Sequence, residues 1–179
     1  MAKMPIRVYG DPLLRRHSKE VTEFDESLEA LAVDMVETML AADGIGLAAP
    51  QVGVSRCFIV IGIPVEEDDG DARKILVLVN PEILEVNEET VVMEEGCLSL
   101  PGITEEIERP TDVRVRYQNL KGETLEIEVG GLLARVIQHE KDHLDGVLFI
   151  DHLPPLKRTL LRGKLKKLRE EHEDLQYTV

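Results

Sequence analysis

The pentapeptide His139-Glu140-Lys141-Asp142-His143 constrains this chain more than any other segment. On a strand, residues four apart are separated by about 13 Å, whereas on an α-helix they sit one turn above each other. Only the helix lets the two imidazoles share a partner. The helical reading is independent of the motif, because Leu132, Val136 and His139 recur at spacings of four and three. It runs from about Leu132 to Leu144 and is closed by Gly146. Two histidines on one face can grip a metal ion, and Glu140, one residue round, can reach a water on that ion as general base. The bland reading of the pentapeptide alone is a surface helix with two solvated histidines.

The remaining pattern is mixed. Leu28, Leu31, Ala32, Met35, Val36, Met39 and Leu40 form one stripe, which predicts a helix over 27–42, capped by Asp25 or Ser27 and ended by Gly44. Residues 57–63 and 75–79 are short β-prone runs, with an exposed acidic loop, Glu66–Asp71, between them. Val113, Val115 and Tyr117 alternate with polar residues, as do Leu125, Ile127 and Val129, and Asn119–Gly122 between them predicts a hairpin. Val147–Ile150 is strand-like. A last helix starts near Pro155, with Leu156, Leu160, Leu161, Leu165 and Leu168 as its apolar stripe. Hairpins without βαβ alternation predict an α+β fold: antiparallel sheets and hairpins around a central helix that carries the histidines, with a C-terminal helix. Residues 1–153 are expected to form the functional domain, and 154–179 a helix and charged tail of the same compact unit.

A two-histidine grip leaves a catalytic metal short of a third protein ligand. Downstream, His152 follows a strand-like segment, while Glu170, Glu171, His172 and Glu173 sit in a charged tail where solvation is the simpler reading. Cys97, in Glu95-Gly96-Cys97-Leu98-Ser99, is better placed, since a thiolate suits a borderline metal and Gly96 permits close backbone approach. Cys57 reads as a small buried hydrophobe. A third segment, Gly44-Ile45-Gly46-Leu47-Ala48-Ala49-Pro50-Gln51, has glycines that permit an unusual backbone and a proline that stiffens the approach to the Gln51 amide. Alone, it could be only a helix end and a tight turn.

Composition narrows the partners. The 179 residues hold 21 basic and 35 acidic side chains, a net charge of −14, which argues against a protein that coats DNA or RNA. No apolar run approaches a membrane span, and Met1–Tyr9 lacks the features of a signal peptide. Two cysteines are too few for a disulfide framework, so a cytoplasmic protein with reduced thiols is expected.

Taken together, Gly44–Gln51, Glu95–Ser99 and Gln138–His143 resemble the three-motif signature of the peptide deformylase family, over roughly Pro5 to Lys157. The resemblance implies that Cys97, His139 and His143 hold one divalent ion, most often Fe²⁺ in this family, with Zn²⁺, Ni²⁺ or Co²⁺ able to occupy the site. It implies hydrolysis of the N-formyl group from the initiator methionine of new polypeptides, releasing formate. Glu140 is then the general base, and the Gln51 amide and the Leu98 N–H stabilise the developing oxyanion. An extended peptide is expected to pair with the backbone at Ile45 and Gly96, near Gly46, with the methionine in a pocket lined by Leu132, Val136 and the aliphatic stem of Arg135. Glu95 and Arg109 correspond to an ion pair bracing the cysteine loop, while Gln138 and Ser99 are polar neighbours of the ligands. Lys141 and Thr104 depart from common family choices without touching the chemistry.

Two other classes compete: a zinc peptidase, which shares the histidine motif, and a catalytically silent module stabilised by metal. Cys97 disfavours the first, and Glu140 and Gln51 have no purpose in the second. The charge is also uneven: residues 157–169 carry seven basic side chains and no acid, leaving the other 166 residues at a net −21. That stretch is either a solvated helix face or a contact for the ribosome, and the protein is expected to be a monomer.

Overall fold

The computed structural model describes residues 3–65 and 72–176, the last four as backbone alone. The expected acidic loop Glu66–Asp71 lies outside the described residues. Helix α1 spans Glu26–Ala41 and starts where the Asp25 carboxylate accepts from the N–H groups of Ser27 and Leu28. The left-handed residue after it is Asp43 (φ 54°), not Gly44. Gly44 is needed for space, because a Cβ there would come within 3.0 Å of Leu98 Cδ1.

Five strands form an antiparallel sheet in the order β1-β2-β3-β6-β7: Gly46–Ala48, Phe58–Pro64, Arg73–Val86, Asp112–Gln118 and Thr124–Gly130. The other two, β4 (Thr90–Gly96) and β5 (Thr104–Pro110), make a separate antiparallel pair. Helix α2 spans Gly131–Leu144, and the left-handed Gly146 (φ 73°) follows its end. Strand β2 is apolar throughout because both of its faces are covered. Phe58 and Val60 face α1 in one cluster, while Ile59 and Ile61 face α2 in another. Leu47 and Ala48 of β1, and Val79 and Leu78 of β3, divide in the same way. The α+β class is as expected, with α2 packed on β1, β2, β6 and β7.

Three expectations change. Segment Gly46–Ala48, which alone could be only part of a turn, is the outer strand of the large sheet. Val147–Ile150 is not a strand: Phe149–His152 is a 3-10 turn, held by the Asp151 carboxylate accepting from Leu148 N–H at 2.9 Å. Its apolar side chains enter a third cluster with Leu100, Ile103 and Ile107 instead of pairing in a sheet. Finally, α3 (Pro155–Gln176) buries Leu161 and half-buries Leu165 and Leu168, a stripe with spacings of four and three. Leu156 and Leu160 sit about 100° or more away from Leu161 around the helix and are 73% and 76% exposed. Asn80 adopts φ 49° within β3, where its amide bonds the Val21 backbone from both sides and pins the N-terminal arm.

Candidate metal centre

Helix α2 supplies His139 and His143 from its buried face, and the turn after β4 supplies Cys97. Among the described residues these three converge, with one ligand atom of each within 4.8 Å of the others. Cys97 Sγ lies 3.3 Å from His143 Nε2. Thiolate, imidazole and imidazole form the donor set of a catalytic site with one position left for water or substrate.

Glu140 is buried beside this set, and its Oε2 has no protein partner among the described residues. Burial pushes its carboxyl up to about 7. His143, also buried, is held well below the usual imidazole range by desolvation and by the nearby His139. His139 moves the other way: although burial opposes it, bonds to Cys97 and Glu95 raise it well above that range. A buried carboxylate with an uncommitted oxygen next to three converging soft and borderline donors fits a divalent ion attended by a water.

Gln51 follows β1 in a short turn, where its Oε1 accepts from Ala48 N–H at 2.8 Å. That bond orients the amide, so Nε2 points toward Ser99 Oγ (3.1 Å) and Cys97 Sγ (3.5 Å). The Leu98 N–H, on the turn after β4, donates to no backbone carbonyl among the described residues. Beside these groups lies a cavity of about 450 Å³ whose walls include Ile45, Gly46, Gly96, Leu98, Leu132 and Val136. Leu132 stands at its rim, 39% exposed.

The edge of β1 refines one expectation. The Ile45 carbonyl already accepts from Gly62 N–H at 2.9 Å. Antiparallel pairing alternates, and Gly46 faces Ile61 at the next position, so the Gly46 peptide groups turn to the open edge, while the Ile45 N–H donates to no backbone carbonyl among the described residues. Gly46 is also where the backbone meets the buried Glu140 carboxylate, since a Cβ there would overlap Glu140 Oε1.

Behind the donors, Glu95 gathers the expected partner and two more. Arg109 binds it with two bonds of 2.7 and 3.0 Å, His139 Nδ1 lies 2.8 Å away, and Arg135 Nη1 donates at 2.7 Å. Arg135 lines the cavity, and its head group also donates to the carbonyls of Ile107 and Val91. Gln138 is not brought to the donors; it bonds the carbonyls of Pro110 and Ala134. Sequence reasoning assigned Arg135 only its stem, although its place one turn before His139 was a usable signal.

The sequence model of the polypeptide deformylase family matches residues 3–159. The chain belongs to the polypeptide deformylase family. It is 54% identical over 160 residues to peptide deformylase of Thermotoga maritima, covering 89% of this chain and 93% of that one. It is 45% identical to that of Salinibacter ruber, covering 97% and 92%. The crystal structure of the Thermotoga maritima peptide deformylase superposes with a TM-score of 0.79 at 51% identity, covering 87% of this chain and all of that one. A plant peptide deformylase gives a TM-score of 0.89 at 38% identity, covering 97% and 93%. Deformylases are metal-dependent hydrolases that remove the N-formyl group from new polypeptides, and this chain is a hydrolase of that family.

Proposed function

We propose that Cys97, His139 and His143 hold Fe²⁺, with Zn²⁺, Ni²⁺ or Co²⁺ as substitutes, and that Glu140 is the proton carrier in hydrolysis of formyl-methionyl peptides. The observation that carries this reading is the buried, uncommitted Glu140 carboxylate beside the three converging donors. A divalent ion bound there makes water more acidic and draws charge from a carbonyl oxygen. Glu140, pushed up to about 7, is poised to accept a proton near neutral pH.

Glu140 takes one proton of the attacking water as the water oxygen adds to the formyl carbon. Negative charge gathers on the formyl oxygen, which accepts from Gln51 Nε2 and Leu98 N–H. Glu140 then gives its proton to the amide nitrogen as the C–N bond breaks, leaving formate and a free amino terminus. The peptide extends along the open edge of β1, bonded to the Ile45 N–H, to Gly46 and to Gly96 of β4. The methionine side chain enters the cavity against Leu132, Val136 and the Arg135 stem. Glu95 and Arg109 brace the cysteine turn and the His139 ring.

Newly made polypeptides are the substrate, so the protein works in the cytoplasm, where the two unpaired cysteines stay reduced. Residues 1–153 form the catalytic domain, 154–179 a helix and tail of the same unit, and the chain acts as a monomer. Arg158, Arg162, Lys166 and Arg169 line a groove with Tyr9 along α3, which supports a contact with the phosphates of ribosomal RNA. The experiment is to load purified protein anaerobically with each ion in turn and measure formate from formyl-Met-Ala. Turnover highest with Fe²⁺ is expected; metal content without turnover for any ion overturns the reading.

A further inference from the structure

The 3-10 turn Phe149–His152 touches His139 and its support from two directions. The Phe149 ring stacks on the His139 ring, with centroids 6.0 Å apart and planes 25° from parallel. Phe149 is itself buried in the third core cluster, so it is a fixed wall. Three residues on, His152 Nε2 lies 2.7 Å from Asp142 Oδ2. A carboxylate only accepts, so Nε2 donates. The same oxygen accepts from Arg109 Nη1 at 2.9 Å, and Arg109 is the doubly bonded partner of Glu95. Glu95 Oε1 in turn faces His139 Nδ1 at 2.8 Å.

The chain His152–Asp142–Arg109–Glu95–His139 thus runs from a side chain 38% exposed to a member of the donor set, through Arg109 and Glu95 at 5% each. An imidazole ligand is oriented by what its other nitrogen and its ring face meet. Here one side is a carboxylate whose own direction depends on Asp142, and the other is an aromatic wall.

We propose that Phe149 and His152 are positioning residues for His139, the first by ring contact and the second as the hydrogen-bond donor that anchors Asp142. The proposal rests on the reading of Cys97, His139 and His143 as the metal ligands. It predicts that metal binding, not only folding, depends on this turn.

The test loads wild-type protein and the variants His152→Leu, His152→Gln and Phe149→Leu with Co²⁺. Visible absorption reads the ligand field, chelator competition reads affinity, and thermal unfolding of the metal-free forms reads folding. His152→Leu is expected to weaken Co²⁺ binding about tenfold and shift the absorption bands, while His152→Gln, which keeps a neutral donor, stays close to wild type. Phe149→Leu is expected to shift the bands; should it fail to fold, the His152 pair decides. Unchanged affinity and spectrum in His152→Leu, or loss in His152→Gln equal to that in His152→Leu, overturns the proposal. Wild-type protein that takes up no Co²⁺ overturns both this and the metal reading, whereas Co²⁺ uptake without formate release counts against the proposed reaction alone.

Discussion

His139 Nδ1 lies 2.8 Å from Oε1 of Glu95, a residue 44 positions earlier in the chain. Because the carboxylate accepts, Nδ1 carries a proton, and Nε2 is the nitrogen left to serve as a donor to an ion. The same carboxylate balances Arg109 and Arg135, so one buried acid serves both the fold and the site.

Removing that acid leaves the buried Arg135 guanidinium without a carboxylate and Arg109 with Asp142 alone. Glu95→Ala is expected to cost about 3–5 kcal/mol in urea unfolding. Although burial opposes it, bonds from His139 and Arg109 hold the Glu95 carboxyl well below the usual carboxylate range. A depressed acid stabilises the fold above its unfolded value near 4.5 and loses that contribution as pH falls further. Wild-type stability is therefore expected to drop below about pH 4.5 more steeply than that of Glu95→Gln, measured by urea midpoints across pH.

Glu140 has the opposite sign. Its carboxyl, raised by burial to about 7, binds a proton in the folded metal-free protein that the unfolded chain releases near 4.5. Stability therefore declines as pH rises through that window. Glu140→Gln, neutral throughout, should match wild type near pH 5 and exceed it near pH 8 by about 2 kcal/mol, or roughly 4–8 °C in Tm. Scanning calorimetry of the metal-free proteins checks this, and equal Tm at both pH values contradicts it.

Gly46→Ala tests the contact between the strand edge and the Glu140 carboxylate, the proposed base. The new methyl overlaps Glu140 Oε1 and approaches Val136 Cγ1 at 2.8 Å, so the carboxylate must move. A displacement of about 1 Å costs on the order of 100-fold in kcat/KM. The effect should appear with metal content unchanged.

Gln51→Ala removes an amide whose direction is set by Ala48. A loss of about 10²–10³ in kcat, with KM little changed, is expected from steady-state kinetics if its N–H group acts on the oxyanion.

The basic groove calls for substitutions, because truncating α3 removes the buried Leu161 from the third core cluster. Replacing Arg158, Arg162 and Lys166 by Glu should abolish salt-sensitive cosedimentation with ribosomes and spare formyl-Met-Ala turnover. Cosedimentation equal to wild type contradicts the contact.

Local pattern carried much of this. The spacing of His139 and His143 announced α2, and the stripe from Leu28 to Leu40 announced α1 within a residue or two. What was illegible depends on partners distant in sequence. Strand β1 has three residues and exists only because β2 pairs with it. The pair β4 and β5 was masked by the charged Glu105, Glu106 and Glu108 and by the exposed Val91 and Val92, a pattern of two strands with little covered face. Val147–Ile150 looks like a strand because its side chains are apolar, yet among the described residues no neighbouring strand takes its backbone. The convergence of Arg135 and His139 on Glu95 follows from how α2 lies against β4, which periodicity alone does not encode.

The most direct test of the account is the product formed from formyl-Met-Ala by Fe²⁺-loaded protein under anaerobic conditions. Formate and intact Met-Ala in equal amounts, lost in Glu140→Gln at unchanged iron content, is the predicted result. Cleavage of the Met–Ala bond, or equal formate release by Glu140→Gln, would contradict it.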